Sequence, residues 1–223
     1  MDELTADECR VLGVLVEKAF TTPDQYPLTL NAVVNGCNQK NNRDPITSID
    51  DTRAFDALES LRAKKLVIRA DMAGSRVNKY KHTASDVLRV RAGELAVLAE
   101  LLLRGPQTLG EIRGRASRMS PLDSLETTKN MLEALMQREQ PLAKQIPPSP
   151  GSRAERYIQL LSPDAHQEEE TASPVSPSEE FAETRSNLQE RVDSLEAEVA
   201  TLRTALSKLA VAVGEPDPFA VVD

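Results

Sequence analysis

The pattern of apolar residues over positions 4–82 recurs over positions 94–161, and this repetition limits the fold more than any other feature of the chain. The first copy opens at Leu4-Thr5-Ala6-Asp7-Glu8, where Thr5 and Glu8 have the spacing of a capping box. Val11, Leu12, Leu15, Val16 and Phe20 then mark one face of a helix. After a turn at Thr22-Pro23-Asp24, a shorter helix begins near Thr29, with Leu30, Val33, Val34 and Cys37 as its inward side. The polar loop NQKNNRDP (38–45) leads to a third helix over about 48–64, for which Phe55, Leu58 and Leu61 are the expected buried set. Residues 66–69 and 76–82 alternate as two strands around the turn Ala73-Gly74-Ser75.

The second copy keeps this order. Residues 94–103 form an apolar-rich helix closed by Arg104-Gly105-Pro106, and Thr108 and Glu111 make another capping box. A third helix spans 123–137 with Leu125, Met131, Leu132, Leu135 and Met136 facing inward. Residues 142–146 and 156–161 form a hairpin around PPSPGS. Leu58 and Leu61 match Leu132 and Leu135 at an offset of 74, while Arg76, Lys79 and Tyr80 match Arg153, Arg156 and Tyr157 at 77. Three helices followed by a hairpin is the order of a winged helix, a helix-turn-helix variant. The expected fold class is therefore mainly α with small β-hairpins (α+β). It comprises two tandem winged-helix domains, 1–86 and 87–161, plus a C-terminal coiled-coil helix. Domains this small fold more safely if the copies pack together.

Residues 162–180, with three prolines and an acidic run, read as a disordered linker. Beyond it the apolar positions recur every 3.5 residues over 181–213. Leu188, Leu195, Leu202 and Leu209 lie seven apart, and Val192, Val199, Leu206 and Val213 interleave at +4. With the leucines at d and mostly valine at a, the pattern favours a parallel two-stranded coil. Across such a seam Arg191 faces Glu196 and Glu198 faces Arg203, both attractive. The expected assembly is a homodimer. The alternative is a helix folded back on its own globular part. Residues 214–223 read as a tail.

Charge follows the same division. Residues 1–86 carry 12 basic and 13 acidic side chains, 87–161 carry 11 and 8, and 162–223 carry 4 and 14. The overall −8 thus belongs to the C-terminal region, and the first 161 residues stand at +2. A strongly basic nucleic-acid binder is excluded, but a local basic patch is not.

The strings YPLTLN (26–31), CNQKNNRDP (37–45), VLGVLVEK (11–18) and RVNKY (76–80) resemble the YceH-like family of bacterial proteins. The resemblance covers about residues 3–161. It implies a pair of winged-helix domains in a bacterial cytosolic protein, and it brings no catalytic residue and no cofactor. The acidic linker and heptad region look like extensions beyond it.

Candidate chemistry is sparse. His82, His166, Cys9 and Cys37 match no zinc spacing, and neither a Gly-rich phosphate loop nor a dinucleotide fingerprint occurs. Asp50-Asp51 sits at a helix start, where carboxylates favour the dipole. No cofactor, metal or small-molecule ligand is expected, and no catalysis. Two cysteines, an acidic polar start and no apolar run near the ~20 residues of a membrane span point to a cytoplasmic protein.

Two partners are then weighed. Double-stranded DNA could meet the loop Asn38, Gln39, Lys40, Asn41, Asn42 and Arg43, the hairpin residues Arg76, Lys79 and Lys81, and Arg53, Arg115 and Arg118. The bland alternative is that the loop's amides satisfy turn backbone and that Arg43 pairs with a carboxylate. Against DNA, acids stand at the starts of both third helices, where a helix-turn-helix meets phosphate. The other partner is a protein, held by a scaffold whose coil sets stoichiometry.

Overall fold

The computed structural model describes residues 3–70, 77–162, 165 and 206–207. Among them the fold is mixed α/β, with seven α-helices and two three-stranded antiparallel sheets. The first half contains α1 (Ala6–Thr21), β1 (Leu28–Thr29), α2 (Leu30–Cys37), α3 (Asp51–Ala63), β2 (Val67–Ala70) and β3 (Lys79–His82). A short α4 (Ala84–Leu88) leads to the second half: α5 (Ala92–Arg104), β4 (Gln107–Thr108), α6 (Leu109–Ala116), α7 (Leu125–Met136), β5 (Ala143–Ile146) and β6 (Arg156–Gln159). These elements belong to one compact unit, whereas Leu206 and Ser207 fall in a second.

Local chemistry sets the helix starts. The Thr5 hydroxyl accepts from Glu8 N while the Glu8 carboxylate accepts from Thr5 N, and Thr108 and Glu111 repeat the arrangement. Asp50 caps α3 and Ser124 caps α7. These two caps are 74 residues apart, the offset that relates Leu58 to Leu132. Thr29 and Thr108 each end a two-residue strand, cap the next helix and lie opposite a cation, Lys79 and Arg156. Tyr80 and Tyr157 fill the inner faces of the two sheets. The halves are thus built alike, element by element.

One apolar core runs through both halves. At its centre α1 packs along α5. Ten consecutive residues of α1, Glu8 to Glu17, are buried, and so are nine of α5, Leu95 to Leu103. A helix buried all round needs neighbours on every side, and here each half supplies a side for the other's first helix. Leu4 N also donates to Leu161 O at 2.7 Å, tying the start of the first half to the end of the second.

Several expectations change. Phe55 and Leu125, expected inside, are 40% and 50% exposed. In α3 the inward arc is Ala54, Ala57, Leu58 and Leu61, and at about 100° per residue Phe55 falls beside it. In α7 Leu125 is the first residue, ahead of the buried set Thr128, Leu132 and Leu135. Strands β1 and β4 make each hairpin a three-stranded sheet in which β3 and β6 are central. Two residues carry no periodicity, so neither strand was legible. Helix α4, which no sequence reading anticipated, spans Ala84–Leu88 between the two halves. Among the described residues no helix is long and apolar enough to cross a membrane.

Candidate functional site

The densest polar feature of the fold is a ring of charged side chains across the junction of the two halves. Glu17, five residues before the C-cap of α1, is fully buried, and so is Glu100, five residues before the C-cap of α5. Each meets an arginine that follows the second helix of its half. Arg43 lies in the loop after α2 and Arg118 in the loop after α6.

The loop is shaped before the arginine is placed. Asn38 closes it by donating from Nδ2 to Ile49 O (2.7 Å) and accepting from Ile49 N at Oδ1 (2.8 Å). Asn42 takes φ 62°, a left-handed conformation that asparagine tolerates. Asp44 N donates to Leu103 O at 3.0 Å, and Arg10 Nη2 to Pro45 O at 2.7 Å. Arg43 is thereby driven inward. Its Nη2 donates to Glu17 Oε2 (2.5 Å) and Gln39 Oε1 (3.0 Å). Its Nη1 reaches Glu17 Oε1 (3.1 Å) and Asn42 O (2.6 Å), and Nε reaches Gly36 O (3.0 Å).

From the other half, Arg118 donates through Nη1 to the same Glu17 Oε1 and through Nη2 to Glu100 Oε2 at 2.9 Å. Arg104 pairs with Glu100 (Nε to Oε1, 2.9 Å) and donates from Nη2 to Asn42 Oδ1. The circuit Arg43–Glu17–Arg118–Glu100–Arg104–Asn42 closes on itself through the neighbouring residues Asn42 and Arg43. Three guanidinium groups and two carboxylates leave it one positive charge in excess. Burial alone would raise the Glu17 pKa, but the hydrogen bonds and charge of Arg43, then those of Arg118, hold it down to about 2.

The ring redistributes the expected contact residues. Arg43 and Arg118 are committed to internal carboxylates, Asn38 to backbone, and Gln39 and Asn42 to arginines. Lys40 and Asn41 stay exposed on the loop. Arg53 forms a bidentate pair with Asp7 on α1, at 2.7 and 2.9 Å. Arg115 donates to Gln107 Oε1 at 2.7 Å and pairs with Glu111. Lys79 and Lys81 lie on the side of their sheet away from Tyr80, with Lys81 opposite Ile68. Arg76 lies outside the described residues. So does the heptad seam except Leu206, which is half exposed. Sequence reasoning missed Glu17 and Glu100. The available signal was a glutamate inside an apolar run, as in AVLAELLL.

Other candidate chemical groups are spread apart. Cys9 and Cys37 are free thiols buried to 1% and 0% exposure, and burial pushes both up to about 12. Neither is a nucleophile at neutral pH. An exposed-thiol reagent is expected to label native protein only as fast as the chain opens, and to label both sites at once in denaturant. Prompt labelling of native protein at pH 7 would contradict this burial. The Tyr26 hydroxyl accepts from His82 N at 2.6 Å, and burial lowers the His82 imidazole pKa. Among the described residues no group of three or more His, Cys, Asp or Glu is arranged to hold a metal ion.

The solvent side of α3 is acidic and apolar. Asp51, Thr52, Phe55 and Asp56 are exposed there, and Arg53 is drawn aside to Asp7.

Comparison with known proteins agrees with the motifs. The model of a protein family of unknown function, DUF480, matches residues 4–152, and the chain belongs to that family. The UPF0502 protein of Geobacter sulfurreducens is 46% identical over 198 residues, covering 87% of this chain and 88% of its own. That of Geotalea daltonii is 47% identical, covering 86% of each. That of Hahella chejuensis is 42% identical over 213 residues, covering 93% of this chain and 97% of its own. A match of that length cannot fit within residues 3–161. The C-terminal region is therefore shared at least with that relative and is not an extension peculiar to this chain.

Proposed function

We propose that this chain is a non-enzymatic assembly protein of the cytosol that binds protein rather than DNA. In this reading residues 1–86 and 87–161 are two winged-helix modules, held as one body by the α1–α5 core and bridged by the Glu17–Arg118 pair. A parallel coiled coil over 181–213 pairs two chains. The order of three helices and a three-stranded sheet in each half supports the winged-helix assignment.

The observation that carries the protein-binding reading is the solvent side of α3. A helix that enters a major groove needs cations or amides at its leading turn. Here Phe55 stands between Asp51 and Asp56, and Arg53 is neutralised by Asp7. An apolar ring flanked by carboxylates suits a protein surface and is repelled by phosphate.

Double-stranded DNA is the second reading, favoured by Lys79 and Lys81 on the outer side of their sheet. Titration of a mixed duplex pool at ~50 and ~200 mM salt separates the two, because phosphate contacts give a steep salt dependence. No salt-sensitive binding is expected. Steep binding that Lys79→Glu/Lys81→Glu abolishes would establish the DNA reading instead. Leu195→Gln/Leu202→Gln is expected to convert dimers to monomers in sedimentation. An unchanged mass would remove the coil from this account.

A further inference from the structure

We propose that the edge of β2, which no strand among the described residues pairs, receives an extended acidic peptide from a partner protein as a fourth strand, with the open groove beside α3. This rests on the protein-binding reading above and names the chemistry of the partner.

The backbone supplies the first argument. Residues of an antiparallel ladder alternate between facing the partner strand and facing away. Val67 lies opposite His82, and Thr83 N donates to Leu66 O. Residues 66, 68 and 70 therefore bond to β3, and the N–H and C=O groups of Val67 and Arg69 face away from it. His82 N turns to the β1 side and meets Tyr26, in agreement with this phase. The sheet order is β1-β3-β2, so β2 is an edge. Such an edge is a template for strand addition.

Shape and charge supply the rest. An open groove of about 760 Å³ runs beside this edge, lined by Glu59, Arg62 and Ala63 of α3 and by Val67, Ile68 and Arg69. Glu59 is shared by Arg62 (2.5 Å) and Arg69 (3.0 Å), so one carboxylate serves two guanidinium groups. The lining carries one positive charge in excess. Ile68, 40% exposed, offers an apolar contact beside Lys81. The complement is a strand that alternates acidic and apolar side chains. On the corresponding edge of β5 the outward backbone groups belong to Ala143 and Gln145, and glutamine stands where β2 has Arg69.

The test uses the full chain and labelled acetyl-(Val-Glu)3-amide, with acetyl-(Val-Lys)3-amide as its charge reversal, read by fluorescence anisotropy. The acidic probe is expected to bind and the basic one to bind at least about tenfold more weakly. Arg69→Pro removes an outward N–H together with the guanidinium that lines the groove, and spares the bonds to β3, which belong to residues 68 and 70. It is expected to weaken the acidic probe at least about tenfold, the loss of one hydrogen bond and one charge-assisted pair, with an unchanged melting transition. Glu59→Gln, which releases both arginines, is expected to tighten binding.

Equal affinity for the two probes, or no loss in Arg69→Pro, overturns the proposal. So does absence of binding at ~1 mM probe. If salt-sensitive DNA binding is also absent, only the edge falls and the assembly reading stands. If such DNA binding is present, the assembly reading falls as well. A lower sedimenting mass for Arg69→Pro would assign the edge to a second copy of this chain and overturn the peptide.

Discussion

The Glu17→Ala protein is expected to unfold with about 3 kcal/mol less free energy than the parent, because removal leaves the fully buried Arg43 without its carboxylate, while the more exposed Arg118 keeps Glu100. Chemical denaturation reads this directly. A loss below about 1 kcal/mol would mean that the ring contributes no more than a surface pair such as Arg53–Asp7. The pH dependence follows from the same contact. The ordinary Glu value is 4.5 and the folded value is about 2. The unfolded chain therefore takes up the proton first as pH falls. The stabilisation is complete above about pH 4.5 and disappears as pH falls toward 2. The gap corresponds to about 3 kcal/mol. Glu17→Gln is expected to flatten the stability profile in that window. A profile identical to the parent's would place the acid sensitivity elsewhere.

Gly13→Val is expected to cost about 3 kcal/mol, near the upper end of the ordinary range for overpacking. A Cβ at Gly13 meets Leu103 Cγ and Cδ2 at 2.9 Å and Leu102 Cβ at 3.3 Å. Both leucines are buried at the α1–α5 contact, so neither can swing aside. Valine adds two further methyl groups to that clash. Gly93→Ala is the milder comparison at the start of α5. Its Cβ meets the thioether end of Met131, a flexible group beside a cavity of about 280 Å³. There the helix gains up to about 1 kcal/mol in propensity, and a stability within about 1 kcal/mol of the parent is expected. A loss below about 1 kcal/mol in Gly13→Val would show that the α1–α5 contact yields to added methyl groups. Thermal melts of both proteins decide this.

These two sites also separate what a sequence carries from what it does not. The capping boxes at Thr5 and Thr108 were legible because both partners lie three residues apart on one short segment. The offset from Leu58 to Leu132 reappears in the caps Asp50 and Ser124, because helix starts and buried positions share one local register. Phe55 and Leu125 were misplaced for the converse reason. Apolar identity marks a side chain for burial, but the angular width of the covered arc depends on neighbours from distant segments.

The candidate site was legible only as residue types. The loop NQKNNRDP was recognisable, and a carboxylate partner for Arg43 was one of its two readings. That the carboxylate is Glu17, 26 residues away, and that Arg118 shares it from 101 residues away, is a matter of packing. A lone charge in an apolar helix is costly unless another segment brings its counter-charge. The sequence by itself determined the local vocabulary: every helix of the two halves except α4, two capping boxes, the hairpins and the repetition of the set. Only the tertiary structure decided that α1 and α5 are buried on all sides, that three arginines and two glutamates close a ring between the halves, and that β2 has an edge unpaired among the described residues. Periodicity and capping act over three or four residues, whereas counter-charge, covered surface and strand neighbours come from parts of the chain whose distance along the sequence says nothing of their distance in space.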